Sequence, residues 1–306
     1  MVTVGGIING GIGLVRERPL AILVWGLLYM VAVMGMMATV FVPFIQLTMA
    51  NAAQPGSIDP ARMFGLMAEM YLLDFIMLIL FTVLLAAALR AALRPAERAF
   101  ASIRLGMDEL RLIGLSLLLT LAFFVMMFVV VLVIGLFMAA IGLAAGSGGG
   151  APSAAGFAGI GIGMVVMMVA MYALPIFFAV RLSPAFALTM LRRKIVVGEA
   201  WRLTRGNFWV LFGGYLVLGL MGMAAYMVIL MILFIPVVGM SGGMQGLVAT
   251  LGQGQINGTI GTVLVLGGVL FSLLAGVNIA IWAGGIGAAT NGLLGTTTID
   301  YADTFA

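Results

Sequence analysis

Two polar side chains sit inside long apolar runs of this 306-residue chain, and any chemistry within a membrane would have to use them. Asp74 is flanked by Tyr71-Leu72-Leu73 and Phe75-Ile76-Met77. Ionisable groups at membrane depth are costly and commonly carry protons or ions. Helical rise puts Asp74 about 24 Å from Arg90, just inside the far edge of a ~30 Å hydrocarbon core. It therefore reads either as a coupling carboxylate or as one that snorkels to the interface beside Glu69. Asn278 lies in the last apolar run. Its amide either lines a pathway or bonds a neighbouring helix, a contact worth about 0.6 kcal/mol on average in membranes.

Much other chemistry is excluded by residue type. With no cysteine and no histidine, the chain has no disulfides, thiol nucleophiles, Cys/His metal sites or Ser-His-Asp triads. Lys194 is its single lysine, and the 25 methionines read as flexible apolar filling. The residues call for no cofactor, no metal and no catalytic group. The net charge of +4 belongs to basic residues flanking apolar runs, which reads as membrane topology, not nucleic-acid binding.

The elements that carry these residues follow from hydropathy. Hydrophobic residues make up 64% of the chain and charged ones 8%, against about 25% charged in soluble domains. The fold class expected is an all-α integral membrane protein. Six apolar stretches are long enough to span: 20–45, 66–90, 112–140, 157–180, 208–238 and 260–287. The first begins after Arg16 and Arg18 and is too long for a cleaved leader, so it reads as a retained anchor. All of the 14 Lys and Arg except Arg62 lie before the first span or around the loops 91–111 and 181–207. By the positive-inside rule both termini are expected in the cytoplasm. Asp59-Pro60 reads as the cap and first turn of a helix running to Leu93. Gly146 to Gly150 reads as a turn, and 240–257 as a short surface helix.

A threefold pattern precedes the odd-numbered spans. Val197, Trp201, Thr204 and Phe208 form one helical stripe, with Arg202 and Arg205 opposite. Ala96, Phe100, Ile103 and Met107 repeat it, with Arg104 in the place of Arg205. Ile8, Ile12, Val15 and Pro19 repeat it again, with Arg16. Helices near 4–18, 95–106 and 197–206 are thus expected to lie in the membrane plane, each leading two spans. The repeats would be 4–94, 95–181 and 182–290, followed by a polar tail at 291–306.

Arg181-Leu182-Ser183-Pro184 and the run from Gly198 through Trp201, Arg202, Arg205 and Asn207 to Trp209 resemble the membrane domain of bacterial glycerophosphoryl diester phosphodiesterases and related six-span inner-membrane proteins. The resemblance is strongest over 175–225, with a fainter echo from Pro95 to Arg111. It implies a helical module. The catalytic domain fused to it in some relatives has no counterpart here, so that activity is not implied.

The function expected is a non-enzymatic scaffold or lipid-binding module of the bacterial inner membrane. Arg104, Arg202 and Arg205 would contact lipid headgroups, with Trp201 and Phe100 buried beside them. The partners expected are membrane lipids, anionic ones first. The alternative is a small transporter or channel using Asp74 and Asn278 within the bundle.

Overall fold

The computed structural model describes residues 1–53, 60–97, 100–104, 106–146, 154–246, 249 and 258–295. Asp59, Arg98, the glycine turn after Gly146, most of the 240–257 stretch and the tail beyond residue 295 fall outside these.

Ten α-helices are described: α1 (Val4–Glu17), α2 (Pro19–Met36), α3 (Val42–Ala53), α4 (Pro60–Leu93), α5 (Met107–Gly146), α6 (Ala154–Leu182), α7 (Pro184–Arg192), α8 (Val197–Leu203), α9 (Phe208–Met240) and α10 (Gly258–Leu294). No strand occurs among the described residues. Six helical stretches are long and apolar enough to cross a membrane, and each contains or largely overlaps one of the six expected spans. The chain is an all-α, six-span membrane protein.

Local chemistry sets several boundaries. Proline favours a first helical turn, where its missing N–H costs nothing, and it opens α2, α4 and α7 at Pro19, Pro60 and Pro184. Thr3 caps α1, its Oγ1 accepting from Gly6 N at 3.1 Å. Between α2 and α3 the helix widens to a π turn over Met37–Phe41. Pro43 cannot donate to residue 39, and Val42 N instead reaches back five residues to Met37 O. Pro175 and Pro236 lie inside α6 and α9 and do not end them.

Burial is lopsided along the helices. The packed core comprises the C-terminal parts of α4 and α10, the N-terminal parts of α2, α5 and α9, and helices α1, α7 and α8. Except for α10, which has no basic residue, those are the ends that carry the arginines. Toward the other ends, side chains such as Phe128, Met168, Leu220 and Met231 face outward. Lipid solvates such a surface, since every helical backbone group is already bonded within its own helix.

Lipid tails are as apolar as leucine, so close backbone approach and polar bonds must hold such helices together. Glycines provide the approach. A methyl on Gly10 would lie 2.8 Å from Gly284 O, and one on Gly11 would lie 2.8 Å from Ile281 O. Farther along, Gly26 meets Ser272 and Gly276 meets Ile22, backbone against backbone.

The contacts Val2–Gly292, Gly10–Gly284 and Gly11–Ile281 run antiparallel. Helix α1 therefore lies lengthwise on the end of α10, not flat across the bundle as the stripe reading expects. Its buried residues are Ile7, Gly11 and Leu14, one register away from the Ile8, Ile12 and Val15 stripe. Gly10 and Gly11 together allow the backbone approach, and the helix turns that side inward.

The middle amphipathic helix is not seen among the described residues of 95–106. These show a turn after Leu93 and a single 3-10 turn at Phe100–Ser102. Ala101 and Ser102 have φ of 49° and 56°, in the left-handed region. Three carbonyls that a helix would use internally accept from distant donors. Arg18 Nη2 donates to Pro95 O at 3.2 Å, Trp25 Nε1 to Ala101 O at 2.9 Å and Arg90 Nη1 to Ser102 O at 2.9 Å. Phe100, expected to be buried, is 83% exposed, and Ala96 and Met107 are exposed with it.

Candidate functional site

The arginines divide into two populations that a charge count cannot separate. The first is internal. Arg90, in the last turn of α4, is buried with Glu109 in the first turn of α5, and Arg90 Nη2 donates to Glu109 Oε1. Glu97 Oε2 lies 3.5 Å from Arg90 Nε. One turn on, Arg94 Nη1 pairs with Asp108 Oδ2 at 3.1 Å while its Nη2 donates to Met190 O at 2.5 Å. Arg111 Nη1 closes the set on Asp108 Oδ1 at 2.8 Å. Acids at the start of α5 and bases at the end of α4 also suit both helix dipoles. Together these bonds join α4, α5, the 3-10 turn and α7.

Helix α7 is the element that sequence reading missed. It falls within 181–207, which reads as an arginine-crowded loop, yet Pro184, Ala185, Ala187, Leu188, Thr189 and Met190 are all buried. The available signal was Ser183-Pro184, a helix start of the same kind as Asp59-Pro60. Ser183 Oγ also donates to Tyr215 Oη at 2.8 Å, which ties the α6–α7 corner to α9.

The second population is external. Arg16, Arg104, Arg193, Lys194, Arg202 and Arg205 are exposed, and among the described residues none of them has a carboxylate within ion-pair distance. Arg192, beside them, is paired with Glu199 at 3.0 Å. All but Arg16 follow spans 2 and 4, on the 3-10 turn segment or the α7–α9 connection.

An aromatic cluster adjoins these cations. Trp201 is half-buried against Phe177 and Phe178 of α6, at ring distances of 5.9 and 5.7 Å. Phe208 lies 5.2 Å from both Phe177 and Trp209, and Trp209 is 77% exposed. Exposed tryptophan beside arginine is the pattern of a headgroup-level belt.

Asp74 is exposed on the side of α4. Asn278 is half-buried in α10, and its Nδ2 occupies the space a methyl on Gly222 of α9 would need. An apolar groove between α2, α9 and α10, lined by Met34, Met37, Leu233, Val263 and Phe271 among others, includes neither residue. No group of three or more His, Cys, Asp or Glu able to hold a metal occurs among the described residues.

Comparison with protein-family models, with curated proteins and with solved structures found no match.

Proposed function

We propose that this chain is a non-enzymatic lipid-binding or scaffold module of a bacterial inner membrane, with both termini in the cytoplasm and the arginine-bearing ends at the inner leaflet. One observation carries this reading. Among the described residues, Arg104, Arg193, Lys194, Arg202 and Arg205 are exposed without acidic partners at the end where neighbouring arginines are consumed in ion pairs. Cations left free beside exposed aromatic side chains suit phosphate headgroups. The motif around Trp201 points the same way, because it resembles the membrane modules associated with bacterial phosphodiesterases.

Each basic side chain near an anionic leaflet contributes about 1 kcal/mol. Replacing Arg104, Arg202 and Arg205 together with Gln should weaken retention of phosphatidylglycerol by about 3 kcal/mol, or about a hundredfold. Native mass spectrometry of protein released from mixed-lipid nanodiscs measures this. Unchanged retention in a folded triple variant would reduce these arginines to topology signals and remove the support for the reading.

A further inference from the structure

Arg181 is a buried cation without a counter-ion. It ends α6 with 9% of its surface exposed, and no carboxylate among the described residues pairs with it. Arg90, buried more deeply still, has Glu109. Taking a charge out of water without a paired anion is costly, so the surroundings of Arg181 should supply one.

What they supply is partial. The guanidinium carbon lies 4.3 Å from the Trp201 ring centre and 5.8 Å from that of Phe177. These are cation–π contacts, and the C-terminal dipole of α6 adds to them. Nη1 donates to Thr204 O over a long 3.4 Å. Thr204 Oγ1 lies 3.3 Å from Arg181 O and bonds Ala200 O at 2.9 Å, which fixes the α8 turn against the α6 end. Nε is enclosed and unpartnered. Nη2 makes no hydrogen bond and is not among the fully enclosed atoms. Arg202 and Arg205, next in sequence to Trp201 and Thr204, are exposed on the same α8 turn. The guanidinium lies against an aromatic ring, and further exposed cations belong to the turn that holds it.

We propose that the unpartnered Nη2 of Arg181 is a subsite for a phosphate group, supplied by an anionic lipid headgroup. The proposal rests on the lipid-binding reading and gives it a specific grip. A planar guanidinium recognises phosphate oxygens in a way a point charge does not. Contact with Trp201 restricts the rotamer freedom that binding would otherwise have to quench. The exposed arginines attract the anion, and Arg181 orients it.

The test places the wild type, Arg181→Gln and the Arg104/Arg202/Arg205→Gln triple variant in phosphatidylcholine nanodiscs with and without phosphatidylglycerol. Native mass spectrometry should show Arg181→Gln losing retained phosphatidylglycerol by about tenfold, the worth of a charge-assisted hydrogen bond, with phosphatidylcholine unchanged. Equal phosphatidylglycerol retention in folded Arg181→Gln overturns the subsite. If the triple variant still loses retention, the broader reading stands without it. Arginine side-chain ¹⁵N NMR of the wild type makes the test independent of that variant's folding. The signal assigned to Arg181 by its loss in Arg181→Lys should shift when phosphatidylglycerol is added. A shift with glycerol phosphate alone would support a phosphate site but overturn the lipid source. No shift with either overturns the proposal.

Discussion

Trp25 Nε1 donates to Ala101 O at 2.9 Å, joining a fully buried indole of α2 to a residue in the left-handed region 76 positions later. That bond sets the path of the chain between α4 and α5. It also makes a sharp prediction. An alanine at φ 49° is strained, by roughly 1–2 kcal/mol, whereas glycine is not. Ala101→Gly should therefore raise stability by up to about 1 kcal/mol, part of the relief being lost to the greater freedom of the unfolded chain. Were the segment a helix, the same change would cost about 0.5–1 kcal/mol. Thermal unfolding in mild detergent gives the sign.

The stripe through Ala96, Phe100, Ile103 and Met107 misled for an identifiable reason. In a chain this apolar, helical periodicity arises readily, and nothing local says that Arg18, Trp25 and Arg90 will take the segment's carbonyls. The spans themselves were legible because length and hydropathy are local properties. Helix α4 was legible over Pro60–Leu93 from its apolar run, while Asp59, its expected cap, lies outside the described residues. The roles of the arginines were not. Arg94 reaches Met190 O, 96 residues away, and only tertiary structure separates such a residue from exposed Arg104. Arg181 belongs to the Arg181–Pro184 motif, but its burial without a counter-ion depends on where α8 folds back.

Glycine contacts between α1 and α10 should be intolerant of a single methyl. A Cβ on Gly284 would overlap Gly10 O, and neither backbone can yield without moving its helix. Gly284→Ala should cost about 1–3 kcal/mol, the range for overpacking. It should also expose the start of α1 to limited proteolysis. Gly135→Ala is the control, because nothing lies within 4 Å of its added methyl. It should be neutral or gain about 0.5–1 kcal/mol of helix preference. Equal effects of the two changes would mean that α1 is not docked on α10.

Orientation can be read with cysteines placed where reagents can reach. Ser102 is a poor site, being buried at 6% exposure with a left-handed backbone. Lys194 is exposed beyond α7, and Met244, beyond α9, is 53% exposed. With the arginine-bearing ends in the cytoplasm, Met244→Cys should label in intact cells and Lys194→Cys only after permeabilisation. The absence of native cysteine makes the background clean. The reverse pattern would invert the proposed topology and place the lipid-facing arginines on the outer leaflet.

The Arg90–Glu109 pair should behave as a unit. Both side chains are 3% exposed, so removing one leaves the other charged and enclosed, at a cost of about 3–5 kcal/mol. Arg90→Gln forfeits in addition the bond to Ser102 O, and the turn at Phe100–Ser102 should loosen with it. Glu109→Gln keeps the shape of its side chain and the bond from Gly106 N, but it leaves Arg90 to Glu97, which is 38% exposed. The double variant Arg90→Gln/Glu109→Gln should cost less than the sum of the single variants, because no isolated charge remains. A coupling of about 1–3 kcal/mol is expected for contacting charges. Unfolding measurements on the four proteins give the cycle directly. Additive losses would mean that the two residues contribute separately, through packing and backbone bonds, and that the ion pair is not what joins α4 to α5.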